Sequence, residues 1–258
     1  MSKVIPLPPY PALIIDGIWN ASKHRYIIIS DLHIGFESEL SLKGISIDSP
    51  RLVDEMVNEL IDLVRAYRAD GVVILGDLKN SIGSISKLEW YRIPEFLRST
   101  ARCTNIFLVP GNHDANIEYL APTTVDITSS SGLILQDTLL IHGHTMPRSI
   151  SSTIKRIIMG HIHPTLIKDS STLSGQRVWI YLKVEKQAIW AAKSGLLDII
   201  VVPSFNKYLV ATAEHGRRKR ICPLINRVLK NDAINTAMVL TLDGSLVADT
   251  SSLQNITM

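Results

Sequence analysis

Cysteine is almost absent: Cys103 and Cys222 are the only two in 258 residues, and they form no CxxC pair. That scarcity excludes a disulfide-framed scaffold and a thiolate zinc site, so both are expected to be reduced, buried thiols. Long apolar runs are missing too. The longest, 72–75 and 199–202, are strand-sized, far short of the roughly 20 residues that a membrane helix needs, and no membrane partner is expected. The opening Met1-Ser2-Lys3-Val4-Ile5-Pro6 lacks a continuous apolar stretch with a small-residue cleavage site, so the expected location is the cytoplasm. Charge of one sign is scarce as well. A net +3 is too mild to argue for nucleic acid by itself, and the one dense basic run, Arg217-Arg218-Lys219-Arg220, reads as a solvated loop.

What is present is a globular composition, 46% hydrophobic and 20% charged, which lies outside the disordered range. No repeat, low-complexity tract or linker divides the chain, so residues 1–258 read as one domain. Short apolar runs rich in β-branched residues recur at 26–30, 72–75, 106–109, 138–141, 157–159 and 199–202, and these predict buried strands. Between the first two lies a predicted helix: Ser49 can cap it, Pro50 suits its first turn, and Leu52, Val53, Met56, Val57, Leu60, Ile61 and Val64 form a 3.6-residue stripe. This is a βαβ unit. Residues 87–100 also read as helical, with Pro94 kinking the helix or starting a second one, and Trp90, Ile93, Phe96 and Leu97 facing the core. Trp179 and Trp190 read as packing residues. Beyond His163 the alternation at 178–184 and the Asp243-Gly244 turn predict antiparallel strands, and 186–193 a short surface helix.

Of eight histidines, six (His33, His113, His142, His144, His161 and His163) stand just after predicted strands, whereas His24 and His215 read as surface residues. In open α/β sheets, ligands bind beyond the carboxyl ends of the strands, where polar residues from distant parts of the chain converge. The chain places such residues there five times: Asp31-Leu32-His33, Gly76-Asp77-Leu78-Lys79-Asn80, Gly111-Asn112-His113-Asp114, His142-Gly143-His144 and Gly160-His161-Ile162-His163. An extended backbone would put Asp31 and His33, two residues apart, on one side and aim them at one ion.

These five blocks, over roughly residues 24–165, resemble the calcineurin-like metallophosphoesterases, whose pattern is DxH, GD, GNH(D/E), HGH and GHxH. The run Ser30 to Glu37 and the Val202-Pro203-Ser204-Phe205-Asn206 segment look like archaeal phosphoesterases related to the SbcD-type DNA-repair nucleases. The resemblance implies an α/β sandwich of two mixed β-sheets flanked by helices, with the metal motifs in 31–163 and residues 165–258 completing the second sheet. It implies that Asp31, His33 and His163 hold one divalent ion, that Asn112, His142 and His161 hold a second, and that Asp77 bridges them. Mn²⁺ is expected, with Fe²⁺, Zn²⁺ or Ni²⁺ as alternatives. His113 would face the phosphate, with Asp114 orienting it, and Asn80 and His144 are candidate phosphate contacts. Those repair nucleases usually carry histidine at the position of Asn80, and the Ser/Thr phosphatases carry GDxxDRG with GNHE; this chain has neither set. The implied activity is hydrolysis of nucleotide or nucleic-acid phosphodiesters. A phosphomonoesterase and a non-catalytic metal-binding scaffold are the competing readings, and a homodimer is the candidate assembly for any of them.

Overall fold

The computed structural model describes residues 2–19, 22–42, 44, 48–166, 173–212, 222–249 and 256–257. The basic run 217–220 and His215 lie outside them.

Strand alternation sorts the apolar side chains into layers. In one sheet, β1 (Lys3–Pro6), β2 (Leu13–Trp19), β3 (Ser22–Ile29), β4 (Gly71–Ile74), β5 (Asn105–Leu108) and β6 (Val125–Ile127) lie in that order. Strands β1 to β3 pair antiparallel, and β3 to β6 pair parallel. Successive side chains of a strand point to opposite faces. Ile27 and Ile29, with Val72 and Ile74, therefore pack on one face, while Tyr26, Ile28, Val73 and Leu75 pack on the other.

The second sheet uses β7 (Leu133–Leu135), β8 (Thr138–Ile141), β9 (Arg156–Met159), β11 (Val178–Glu185), β12 (Leu196–Val201), β13 (Ile234–Thr241) and β14 (Leu246–Asp249), in the order β14-β13-β11-β12-β9-β8-β7. Its β8, β9 and β12 run parallel and the rest antiparallel. A separate pair joins β10 (Thr165–Leu166) to β15 (Ile256–Thr257). Ile158, Ile200 and Trp179 share a buried cluster with Ile28 and Val73, so the two sheets pack face to face. Helices cover the outer faces: α2 (Ser49–Tyr67) and α3 (Lys87–Ala101) over the first sheet, and α4 (Lys186–Ile189) and α5 (Pro223–Lys230) over the second. The short α1 (Glu37–Leu42) follows the first motif. The sandwich of two mixed sheets flanked by helices is thus as expected.

Local differences have physical causes. The cap of α2 is Asp48 rather than Ser49: its extended backbone lets the carboxylate accept from Arg51 N at 3.4 Å, and Ser49 falls inside the helix. Leu52, Val53, Met56, Val57, Leu60 and Val64 are buried as the stripe requires, each contributing about 1.5–3 kcal/mol. Helix α3 stays a single helix through Pro94, opened by a Ser86–Glu89 capping box. Ile93, Phe96 and Leu97 are buried, but Trp90 is 52% exposed and is not core. The buried face of α3 runs through Glu89, Ile93, Phe96, Leu97 and Thr100, so the first turn presents Glu89 inward and leaves Trp90 beside it in solvent. Trp179 and Trp190 are buried. Cys222 is buried, but Cys103 is exposed, in the turn after α3. The predicted surface helix is only the four residues of α4, with Lys186 and Ile189 buried. The sequence reading does not anticipate the β1–β2 hairpin, which supplies an antiparallel edge to the parallel core. Among the described residues, no helix is long and apolar enough to cross a membrane.

Candidate metal centre

All five motifs leave the carboxyl ends of core strands. Asp31 and His33 follow β3, Asp77 follows β4, and Asn112 to Asp114 follow β5; His142 follows β8, and His161 and His163 follow β9. Three strands of one sheet and two of the other therefore empty into one crevice.

The backbone there is not extended. Asp31, His33, Asp77, His161 and His163 have φ of 57°, 44°, 51°, 74° and 50°. An extended chain does not bring Asp31 and His33 together; left-handed turns aim them. Such residues cost about 1–3 kcal/mol each and persist only where the surroundings over-determine them. The surroundings do so here. Asp31 N and His33 N donate to the carbonyls of Gly76 and Asp77, locking the first loop onto the second. The backbone N–H of Phe205 reaches the Ser30 carbonyl at 2.8 Å, and the buried Asn206 amide reaches that of Leu32 at 2.9 Å.

Glycine permits the closest approach. A Cβ on Gly160 would stand 1.7 Å from Ser30 Oγ and 2.7 Å from Asp31 Oδ2, and one on Gly111 would stand 2.2 Å from Asp77 Oδ1. Gly160→Ala is therefore expected to push Ser30 and Asp31 out of place. Overpacking of this kind costs about 1–3 kcal/mol, and a thermal melt should show a drop of several degrees together with weakened metal binding; an unchanged melt and unchanged binding would refute the crowding.

The side chains form two groups of donors that share one carboxylate. Asp31, His33, Asp77 and His163 form one, and Asp77, His142 and His161 the other; within each, the ligand atoms lie within 4.8 Å of one another, close enough to hold a metal ion. Nε2 of His163 lies 3.0 Å from Asp31 Oδ1, and Nε2 of His33 lies 3.4 Å from Asp77 Oδ2. His142 Nε2 is 3.3 Å from Asp77 Oδ2 and 3.2 Å from Asn112 Oδ1, which brings Asn112 to the second group. The Nδ1–H of His142 donates to the Leu75 carbonyl at 2.8 Å, leaving Nε2 to face the other donors.

The donor set fits cations. Imidazole nitrogens face each other at 3.3 Å (His33 and His163) and 3.1 Å (His161 and His142), and two lone pairs at that distance need a proton or an ion between them. Burial opposes ionisation of Asp77, yet hydrogen bonds to His142 and His33 outweigh it and hold the carboxyl far below the usual range. Burial likewise opposes ionisation of Asp31, and the His163 charge and hydrogen bond, with the His142 charge, hold its carboxyl well below that range. Burial lowers His142, but Asp77 and then Asp31 raise it to about 9. Two buried carboxylates ringed by imidazoles, without a thiolate, suit a borderline divalent ion.

The neighbouring candidates divide. His113 sits beside the first group, with its ring 4.7 Å from that of His33 and its Nε2 3.9 Å from Asp77 Oδ2; its side chain is 21% exposed. Burial pushes its imidazole below the ordinary value, against the pull of the Asp77 charge. The acceptor on its Nδ1 is the Asn80 carbonyl. Asp114 does not pair with that ring. Its buried carboxylate accepts from the backbone N–H of Leu78 (2.9 Å), Lys79 (3.2 Å) and Gly111 (2.8 Å), tying the second motif to the third. His144 is half-buried, its ring 5.3 Å from that of His142, and its Nδ1 is buried without a hydrogen-bond partner among the described residues. The Asn80 amide, expected to meet phosphate, is turned to His33 and Glu39. Lys79 is fully buried, and its ammonium donates to the carbonyls of Ser81, Ile82 and Ser84, away from the crevice.

Sequence reasoning missed Glu89. Its buried carboxylate caps α3 and accepts from the backbone N–H of Asn80 (2.9 Å) and Ser81. The Ser-x-x-Glu spacing of residues 86–89 was its legible signal.

The family model described as calcineurin-like phosphoesterase matches residues 24–191. No curated protein resembles the chain closely enough to count as a match. The structure of nuclease MPE from Pseudomonas putida aligns over 96% of this chain and 100% of that one, at a TM-score of 0.52 and 14% identity. That of YfcE, a phosphoesterase from E. coli, aligns over 87% and 97%, at 0.40 and 17%.

Proposed function

The chain belongs to the calcineurin-like phosphoesterase family, metal-dependent hydrolases with a dinuclear divalent centre, and from that premise we propose that it hydrolyses phosphodiesters of nucleotides or nucleic acid. The observation that carries this reading is the pair of donor groups joined by Asp77. In this reading Asp31, His33 and His163 would hold one ion, Asn112, His142 and His161 would hold the other, and Asp77 would serve both. Mn²⁺ is the proposed metal on the strength of the family resemblance; the mixed carboxylate, imidazole and amide donors suit Mn²⁺, Fe²⁺ and Zn²⁺ alike rather than a thiolate-seeking ion. Bound divalent ions supply an acidified water and positive charge against the phosphoryl oxygens.

The chain's own residues supply the rest. His113 donates its Nδ1 proton to the Asn80 carbonyl, which leaves Nε2 on the side of Asp77; once Nε2 has taken a proton from solvent, giving the imidazolium that burial disfavours and the Asp77 charge favours, that atom can hand it to the leaving oxygen. Asp114 holds the loop that carries it. A diester is favoured over a monoester because the extra negative charge of a monoester asks for a cation beside the ions. The loop segment 76–86 contains no arginine, and the Lys79 ammonium is held by loop carbonyls. The fold neighbour from Pseudomonas putida bears the name of a nuclease, a substrate class that this reading shares.

A metal-by-substrate panel tests the proposal. Mn²⁺-loaded protein should cleave a chromogenic diester and single- or double-stranded DNA faster than the matching monoester. A preference for the monoester would overturn the substrate class, and no turnover despite bound ions would make the chain a scaffold.

A further inference from the structure

Two hydrogen bonds meet on the Asn80 side chain, and they settle which way its amide points. Asn80 Nδ2 lies 2.7 Å from Glu39 Oε1. A carboxylate accepts only, so that nitrogen is the NH₂ group, and the opposite atom, 3.2 Å from His33 Nδ1, is the amide oxygen. An amide oxygen also accepts only. His33 must then carry its proton on Nδ1, leaving the lone pair on Nε2, the atom that stands 3.4 Å from Asp77 Oδ2 and 3.3 Å from His163 Nε2. The chain of contacts runs from the surface carboxylate of α1 through Asn80 to the buried imidazole.

We propose that Asn80, itself oriented by Glu39, is a positioning residue that fixes the tautomer and the ring of His33, and with them the first metal position. The inference rests on the metal-centre reading above for its consequence, though the tautomer itself does not. A hydrogen-bond acceptor behind a ligating histidine fixes its orientation and raises its basicity, and losing such a partner costs about 10–100-fold in metal affinity. The main chain of Asn80 has separate duties, since its N–H meets Glu89 and its carbonyl meets His113. Side-chain substitutions therefore spare the loop.

The test uses full-length protein labelled with ¹⁵N-histidine. In metal-free wild type, NMR should show His33 protonated at Nδ1; in Asn80→Ala that signal should be lost or broadened, and Mn²⁺ titration should show affinity weakened about 10–100-fold at one of two sites. Glu39→Gln, which keeps an amide oxygen toward Asn80, should stay within a few-fold of wild type, while Glu39→Ala should fall between. Should Asn80→Ala prove unfolded, Asn80→Asp decides: it retains an acceptor for His33, so the Nδ1–H signal should persist although Glu39 now faces a like charge. An unaltered His33 signal in folded Asn80→Ala, or a wild-type His33 protonated at Nε2, would overturn the inference. Wild type that binds no Mn²⁺ while showing the Nδ1–H signal would instead overturn the metal-centre reading and leave the Asn80 contact standing.

Discussion

Asp77→Asn is expected to abolish turnover, by more than roughly 10⁴-fold, beyond the range of a single proton-transfer group. Asp77 is the one residue common to both donor groups, with His33 and His142 each within 3.4 Å of its Oδ2. An amide keeps an oxygen for the His113 backbone N–H, now 2.9 Å from Asp77 Oδ1, so the loop should survive. What it loses is the negative charge. Two cations brought close repel each other, and a shared carboxylate offsets that repulsion. The variant should therefore hold fewer than two ions, whereas loss of a ligand to a single ion should leave partial occupancy and more residual activity. Two ions and near-normal turnover in Asp77→Asn would show the bridge to be misassigned.

His113→Asn is expected to separate proton transfer from metal binding. The His113 ring borders the first group but belongs to neither. Both ions should stay, and turnover should slow by roughly 10² to 10⁴-fold, the usual worth of a positioned acid. The defect should depend on the leaving group. A nitrophenolate leaves without help, so its ester should show a small defect, while a nucleotide 3′ or 5′ oxygen, a poor leaving group, should show the full one. Kinetics on a paired aryl and alkyl diester measure this. Loss of metal would make His113 a ligand, and unchanged turnover on the alkyl diester would remove it from the mechanism, pointing to His144 as the proton source.

Much of this site was legible before folding because its motifs are local in sequence. Each block sits where a β-branched run ends, and β3, β4, β5, β8 and β9 are those runs. The layering followed from alternation along them, as Ile27 against Ile28 shows. What could not be read was long-range or conformational. The DxH spacing suggested an extended chain, but Asp31 and His33 turn through left-handed backbone held by carbonyls some 45 residues away. Asp114, adjacent to His113 in sequence, serves three backbone N–H groups instead. Asn80 looked like a phosphate contact because its motif neighbours face the crevice; only the placement of Glu39 shows where its amide is aimed. Trp90 illustrates the limit of periodicity, which marks a stripe but not which residue of the first turn faces inward; here it is the capping Glu89.

The central claim is a centre with two ions bridged by Asp77, and anomalous diffraction from crystals soaked in Mn²⁺ tests it most directly. Two peaks about 3.5–4 Å apart, both within ligand distance of Asp77, are the predicted result; a single peak, or two that do not share that carboxylate, would contradict it.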